Sequence, residues 1–245
     1  MKKTFWTVFF LSIFISFAGT QTSDKGLKSY SQKNPSAFRD AMKFSIQLKF
    51  YMQALGYEDC DLALAVVFPE LMRYSAYRDE IESFATEIAY TASLDFEGFS
   101  IGHFQMKPVF AEMVEGFVAD NPKLKKKYSV IDYGGDTSTI IQRRNRIRRL
   151  QTLETEIAYL FAFIDICREK LALEESDDGE RVGLIASAYN AGFCYKRETL
   201  EKIGKVDSFP NGSGNSPSWN YVQIASDYYK LSQKIKPSSH KFSAG

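Results

Sequence analysis

The chain has 245 residues, a formal net charge of +1 at pH 7 and 44% hydrophobic residues. This charge balance argues against a nucleic-acid partner, which would require a clear excess of lysine and arginine. The length is sufficient for one sizeable hydrophobic core, and no internal repeat or linker divides the sequence. We therefore expect a single folded domain.

The N-terminus, residues 1–18, has the pattern of a secretory signal peptide. Two lysines precede an apolar stretch from Thr4 to Phe17, which is too short to span a membrane comfortably. The pattern Ser16-Phe17-Ala18 predicts cleavage before Gly19, where no cysteine stands to carry a lipid anchor. We expect a periplasmic or secreted protein, and an uncleaved membrane anchor is the alternative.

The three cysteines, Cys60, Cys167 and Cys194, are an odd set for an oxidising compartment. One disulfide is possible, but the spacing does not select a pair. Cys167 lies in an apolar helical pattern and is expected to be buried as a small hydrophobic residue. Neither a zinc-binding spacing nor a CxxC redox pair occurs, so we expect no metal and no cofactor.

Apolar residues recur at helical intervals along almost the whole chain, which predicts an all-α domain. The first predicted helix covers Phe38 to Leu55. The next has a body from Leu62 to Phe68 that is apolar on every side and therefore belongs in a protein interior. Pro69 disfavours helical geometry at Phe68, so we expect the helix to kink or end there, with Glu70 projecting from its end.

The remaining elements follow from the same periodicity. Helices are predicted over residues 80–93 and 104–117, along a long stretch from Ile147 to Leu171, in the segment that ends at Gly192, and from Trp219 to Ile235. Residues 120–139 and 204–218 contain turn-forming residues and are predicted to be irregular. The domain is expected to cover residues 19–235, followed by a disordered tail, 236–245.

The sequence RRNRIRR, Arg143 to Arg149, raises the question of a polyanion partner. Its isoleucine and the apolar periodicity that follows favour the solvated, basic start of a helix instead. We expect no nucleic-acid contact here.

Three short segments combine polar side chains with apolar neighbours. Glu70 follows the apolar helix, GHFQMKP spans residues 102–108, and AYNAG spans residues 188–192. Each has an ordinary structural explanation: a solvated or capping glutamate, a turn that starts a helix, and a helix terminus. His103 is interpreted as a surface or hydrogen-bonded polar residue.

The order of these segments resembles that of the soluble lytic transglycosylases, relatives of goose-type lysozyme that cleave peptidoglycan. The family pattern Gly-Leu-Met-Gln-Ile-Met-Pro falls in register on residues 102–108, and Ala-Tyr-Asn-Ala-Gly matches residues 188–192 at every position. A later pattern, Thr-Arg-x-Tyr-Val, has a partial match at residues 218–222. The resemblance covers about residues 55–232 and implies a lysozyme-like helical domain with an inserted helix and irregular loops.

The resemblance leaves two candidates for the catalytic glutamate. Family members carry Glu-Ser at this position, whereas this chain has Glu70-Leu71, and Glu87 would fit the usual spacing to Gln105 better. We favour Glu70 because it follows a buried apolar helix, while Glu87 lies on the polar flank of an amphipathic one. The segment between Glu70 and the loop with Gln105 then becomes the inserted helix.

The resemblance implies that this glutamate acts first as an acid and then as a base. Apolar neighbours would raise the pKa of Glu70, so that the carboxyl holds a proton near neutral pH. The N-acetyl group of the substrate would stabilise the positive centre on the sugar. The ionised Glu70 would then take a proton from the 6-hydroxyl, which leaves a 1,6-anhydro end.

The other segments would bind the glycan. In this interpretation, Gln105 and Asn190 hold polar groups of the substrate or of the site. The hydroxyl of Tyr189 positions the glutamate or the N-acetyl group, and Phe104 and Met106 form apolar walls for sugar faces.

The expected function is an exported peptidoglycan lytic transglycosylase, which cleaves the β-1,4 bond between MurNAc and GlcNAc in glycan strands. A non-catalytic peptidoglycan-binding envelope protein is the first alternative, because the serine after Glu70 is missing. A hydrolytic lysozyme is the second, since Asp95 or Glu97 could supply another carboxylate. A helical scaffold of the envelope is the third.

Overall fold

A computed structural model describes residues 24–76, 100–132, 139–210 and 217–234 of the protein. The described residues are mostly helical with little strand, which confirms the prediction of an all-α protein. The helices are α1 (Leu27–Lys33), α2 (Pro35–Ala54), α3 (Cys60–Ala76), α4 (Pro108–Asp120), α5 (Pro122–Lys127), α6 (Ile140–Leu150), α7 (Leu153–Lys170), α8 (Asp178–Ala191), α9 (Arg197–Ile203) and α10 (Tyr221–Ser232). A 3-10 turn, Ser129–Ile131, follows α5.

Helix α3 is the centre of the fold. It packs against α2, α7, α8 and α10, and no residue from Leu62 to Phe68 is more than 3% exposed. The ring of Phe68 stacks on Tyr228 of α10, with centroids 3.9 Å apart. The continuous apolar character of this segment is therefore explained by burial on all sides.

Pro69 does not end α3, because the helix continues to Ala76. The expectation that Glu70 projects from a helix end is wrong, and Glu70 lies inside a continuous helix. Proline removes one backbone hydrogen bond and crowds the carbonyls of the preceding turn. In that turn, the hydroxyl of Tyr221 donates a hydrogen bond to the carbonyl of Val66 over 3.0 Å. Tertiary contacts of this kind, together with packing against four neighbouring helices, maintain the helix through the proline.

The second half differs from the prediction in two places. Residues 120–139 are not wholly irregular, since α5 begins at Pro122 with the Asn121 side chain accepting hydrogen bonds from two backbone N–H groups. The long periodic stretch forms two helices, α6 and α7, which are separated at Gln151 and Thr152. Apolar periodicity continues across this break, and for that reason the pattern does not reveal it.

The segment 204–218 contains a strand that was not predicted. Strand β1 (Asp207–Phe209) pairs antiparallel with β2 (Trp219–Asn220), and Phe209 lies opposite Trp219. Helix α1 was also not predicted, and its Tyr30 packs on the ring of Trp219 at a centroid distance of 4.7 Å. The N-terminal part of the described chain therefore contacts the hairpin.

The arginine run is not entirely solvated, which corrects the prediction for this segment. Arg146 of α6 is fully buried between α4 and α7. Its Nε donates to Glu115 Oε1 over 2.9 Å, its Nη2 pairs with Glu115 Oε2, and its Nη1 lies 3.2 Å from Glu112 Oε2. The hydroxyl of Tyr159 also donates to Glu115. A buried charge persists here because it is paired and hydrogen-bonded.

All three cysteines are free; Cys60 and Cys167 are buried and Cys194 is exposed. Among the helices that the structure describes, none is long and apolar enough to cross a membrane. The predicted signal peptide, the predicted helix over 80–93 with Glu87, the acidic residues Asp95 and Glu97, and the tail 236–245 lie outside the described residues.

Candidate active site

A cleft of about 760 Å³ opens beside the second half of α3. Four separate parts of the chain line it: the last turns of α3, the segment from Ser100 into α4, the end of α8 with the residues after it, and the end of β1. Of the predicted site residues, the cleft brings together Glu70, Gln105, Met106, Tyr189 and Asn190. Residues from the three sequence segments therefore meet in one cavity.

Glu70 is the buried carboxyl group of this cleft. It is 8% exposed, and its Oε2 has no hydrogen-bond partner among the described residues. Arg73 Nη1 lies 3.5 Å from that oxygen, an ion pair too long for a well-formed hydrogen bond. Burial raises the pKa of Glu70 from 4.5 to about 7, and the positive charges of Arg73 and Lys107 only partly oppose this effect. The next residue, Leu71, is 1% exposed and faces the core.

The loop that carries Gln105 is a tight turn closed by backbone hydrogen bonds. Ile101 and Met106 exchange N–H to O bonds of 2.8 and 3.0 Å, and the Gln105 side chain donates to the carbonyl of Gly102 over 2.9 Å. Gly102 and Gln105 both have positive φ, +76° and +53°. The glycine meets this requirement without a steric penalty.

Glu156 of α7 holds this loop in place by hydrogen bonds to two of its residues. Its fully buried carboxylate accepts the backbone N–H of Phe104 at Oε1, and its Oε2 lies 3.0 Å from His103 Nδ1. A Cβ added at Gly102 would lie 2.1 Å from Glu156 Oε1, so the loop and the carboxylate are in direct contact. His103 is hydrogen-bonded, in accord with its interpretation as a satisfied polar residue. Sequence reasoning did not select Glu156, although a glutamate directly before the apolar run IAYLFAFI was a signal in the sequence.

Tyr189 connects α8 to the same loop. Its hydroxyl donates to the carbonyl of Phe104 over 2.7 Å, and its ring packs edge-on against Phe110 at a centroid distance of 5.3 Å. Burial raises the pKa of Tyr189 well above 10, and the charge of Glu70 adds to the effect. In the described structure, the Tyr189 proton is directed to the loop carbonyl and not to Glu70. The phenolic oxygen retains acceptor capacity toward a ligand or a protonated carboxyl.

Phe104 and Met106 have different environments. Met106 lines the cleft, although only 1% of its surface is exposed. Phe104 is fully buried and does not line the cleft, so its ring packs in the core and the residue contributes through its backbone. Its predicted role as a wall for a sugar face does not agree with this position.

Several lining residues were not selected from the sequence. Tyr195 is 48% exposed and offers an aromatic surface to the cleft. Phe209 ends strand β1, which was not predicted, and Pro210 follows it; both line the cleft. Arg73 and Lys107 add two cations. Tyr221 lies in the partial match to the later family pattern. Burial raises the pKa of its phenol well above 10, and the charge of Glu70 adds to the effect.

No group of three His, Cys, Asp or Glu residues in the described ranges is arranged to hold a metal ion. The described lining of the cleft supplies a buried carboxyl group with tyrosine, amide, aromatic and basic neighbours. Searches with protein-family models, among curated proteins and among solved structures find no match to this chain.

Proposed function

We propose that the protein is an exported lytic transglycosylase of peptidoglycan with Glu70 as its single acid and base. The observation that carries the proposal is a buried carboxyl group with a pKa of about 7 that opens into a large cleft. A general acid is effective when its pKa lies near the working pH. The motif resemblance supplies the substrate, and the cleft brings the residues of those motifs together.

The reaction requires one proton donor near the scissile bond. The protonated Glu70 donates its proton to the glycosidic oxygen as the bond to the anomeric carbon breaks. The carbonyl oxygen of the substrate N-acetyl group bonds to that carbon and carries the positive charge. The Glu70 carboxylate then removes the proton of the 6-hydroxyl, whose oxygen attacks the anomeric carbon and displaces the N-acetyl oxygen. Glu70 ends protonated, and the product is a 1,6-anhydro sugar.

The neighbouring side chains fit the supporting roles. The phenolic oxygen of Tyr189 accepts a hydrogen bond from the carboxyl group of Glu70 or from the N-acetyl N–H of the substrate. Gln105 and Asn190 supply amide groups for sugar hydroxyls, and Tyr195 provides an aromatic face for a sugar ring. A carbohydrate site commonly combines such apolar surfaces with a few directed polar groups.

Digestion of purified sacculi tests the proposal. The mature protein is expected to release 1,6-anhydro-muropeptides, identified by mass spectrometry, and Glu70→Gln is expected to abolish them. Glu87→Gln tests the alternative assignment, and Glu58→Gln, an exposed carboxylate before the start of α3, is the matched control. Loss of product only in Glu87→Gln would transfer the catalytic role to that residue.

Other products would select other functions. Reducing ends without the anhydro bond would indicate a lysozyme. Binding to sacculi without any soluble fragment would indicate a non-catalytic binding protein. Leu71 favours this last alternative, because the position of the family serine is here a core residue that supplies no hydroxyl group.

A further inference from the structure

The cleft holds two cations and one carboxyl group. Arg73 and Lys107 line it together with Glu70, and no other charged residue among the described ones does. The only ion-pair partner of Arg73 in the described ranges is Glu70, at 3.5 Å, and Lys107 has none there. Both side chains reach solvent, since Lys107 is exposed and the Arg73 side chain is 36% exposed.

Both cations are close to the catalytic position. Each lowers the pKa of Glu70 through its charge, so each acts on the carboxyl oxygens through space. With Glu70 partly protonated at neutral pH, the described lining of the cleft carries a net positive charge in a protein that is nearly neutral overall. A cleft with charge of one sign concentrates ligands of the opposite sign.

We propose that Arg73 and Lys107 form a subsite for a carboxylate carried by the glycan next to the bond that Glu70 cleaves. The inference rests on the proposed function and assigns Arg73 and Lys107 to the acidic groups of its substrate, the lactyl or peptide carboxylates of the strand. A guanidinium binds a carboxylate through two parallel hydrogen bonds, and an ammonium adds a mobile charge. Lys107 occupies a position where the pattern it resembles has methionine, so this charge is a feature of this chain.

Occupation of the subsite would also act on the acid. A bound carboxylate offsets part of the positive charge that opposes protonation of Glu70, so the proton is held more strongly when substrate is present. The alkaline limb of kcat should therefore lie above that of kcat/KM, by about one pH unit. An acidic substrate in this way promotes the protonation state that its own cleavage requires.

Four glycan preparations provide the test. Native strands carry peptide carboxylates, amidase-treated strands carry the free lactyl carboxylate, and each is also prepared with its carboxylates converted to methylamides. We expect the protein to cleave at least one charged preparation about tenfold faster than its neutral form, the effect of one charge-assisted contact. The preparation with the larger ratio identifies the carboxylate.

Two variants assign the preference to the subsite. Lys107→Met is expected to reduce the ratio of charged to neutral cleavage towards one, and Lys107→Arg is expected to keep it. Lys126→Met, an exposed lysine on α5 outside the cleft, is expected to retain the ratio of the wild type. Equal cleavage of charged and neutral strands by the wild type would overturn the subsite and leave the proposed function intact.

A binding measurement separates the two proposals if the protein cleaves none of the strands. Cosedimentation with the same four preparations measures affinity without any cleavage. The protein could cleave none of the preparations and still bind charged strands about tenfold more tightly than neutral ones. If Lys107→Met weakened that binding, the result would reject the enzyme and retain the carboxylate subsite. Absence of both cleavage and charge-dependent binding would reject both.

Discussion

Glu70 is a carboxyl group whose proton affinity is set by burial. Because burial raises its pKa to about 7, the protonated fraction falls about tenfold for each pH unit above that value. We expect kcat/KM for sacculus cleavage to be constant at mildly acidic pH and to fall above about 7. Replacement of Arg73 by glutamine removes the largest opposing charge, so the midpoint should move to higher pH. A wild-type rate that stays constant to pH 9 would contradict this role.

The same residue makes stability depend on pH. The folded-state pKa of about 7 exceeds the unfolded value near 4.5, so the folded protein binds more protons between these two values. The contribution of Glu70 to stability is therefore largest below pH 4.5, falls by about 3 kcal/mol as the pH rises through 7, and is constant above about pH 8.

The glutamine side chain of Glu70→Gln does not ionise, so this variant should not lose stability between pH 4.5 and 7. We expect the variant and the wild type to have similar free energies of unfolding at pH 4, and the variant to be more stable by about 3 kcal/mol at pH 8. Urea unfolding at the two pH values measures the difference. A gap of the same size at both pH values would show that Glu70 does not titrate as its burial implies.

At the scale of elements, the loop from Ile101 to Met106 is the part of the site with the strictest backbone requirement. Gly102→Ala is expected to strain the positive φ, at about 1–2 kcal/mol, and to displace the loop by collision with the Glu156 side chain and the Leu150 carbonyl. Gly56→Ala is the matched control, because Gly56 also has positive φ but has no atom within 4 Å of an added Cβ.

The two glycine variants should differ in both stability and activity. Both variants are expected to lose free energy of unfolding because alanine strains a positive φ. Only Gly102→Ala should lose more stability than this, and only Gly102→Ala should lose cleavage activity. Urea unfolding and the sacculus assay provide the two measurements. Equal destabilisation with normal cleavage in both variants would show that close contact with Glu156 and Leu150 does not position the loop.

Periodicity predicted elements where one physical signal was sufficient. The sequence predicted that α3 is buried on every side, because its body contains only apolar residues. It also predicted the end of α8, because Gly192 stops the helix. The sequence did not predict that α3 continues past Pro69. The hydroxyl that donates to the carbonyl of Val66 comes from Tyr221, which is 155 residues away in the chain. The break at Gln151 was hidden because apolar spacing continues across it.

At the scale of the whole molecule, the cleft joins residues that are far apart in the chain. The order of the motifs predicted that Glu70, Gln105 and Tyr189 belong together, and the fold places them in one cavity. It did not predict the contribution of Phe209, which depends on a strand pairing of only a few residues. Glu156 and Arg146 also escaped selection, because the burial of a charge depends on partners that local pattern does not reveal.

The buried network around Arg146 links three helices of the fold, α4, α6 and α7. Removal of one partner from a buried ion pair leaves an uncompensated charge, so Arg146→Met is expected to destabilise the protein by about 3–5 kcal/mol. The triple replacement Arg146→Met, Glu115→Leu and Tyr159→Phe should recover most of that loss, because the fully buried partners are removed together and a remaining partner, Glu112, is 23% exposed.

Arg144→Met, an exposed position on the same helix, is the control and should change stability by less than about 0.5 kcal/mol. Urea unfolding of the four proteins measures these differences, and the sacculus assay on the folded triple variant should give the wild-type rate because none of the three residues lines the cleft. A triple variant as unstable as Arg146→Met alone would show that the network contributes packing that apolar side chains do not replace. Recovery would instead show that the fold requires a filled interior at this junction and not these particular charges.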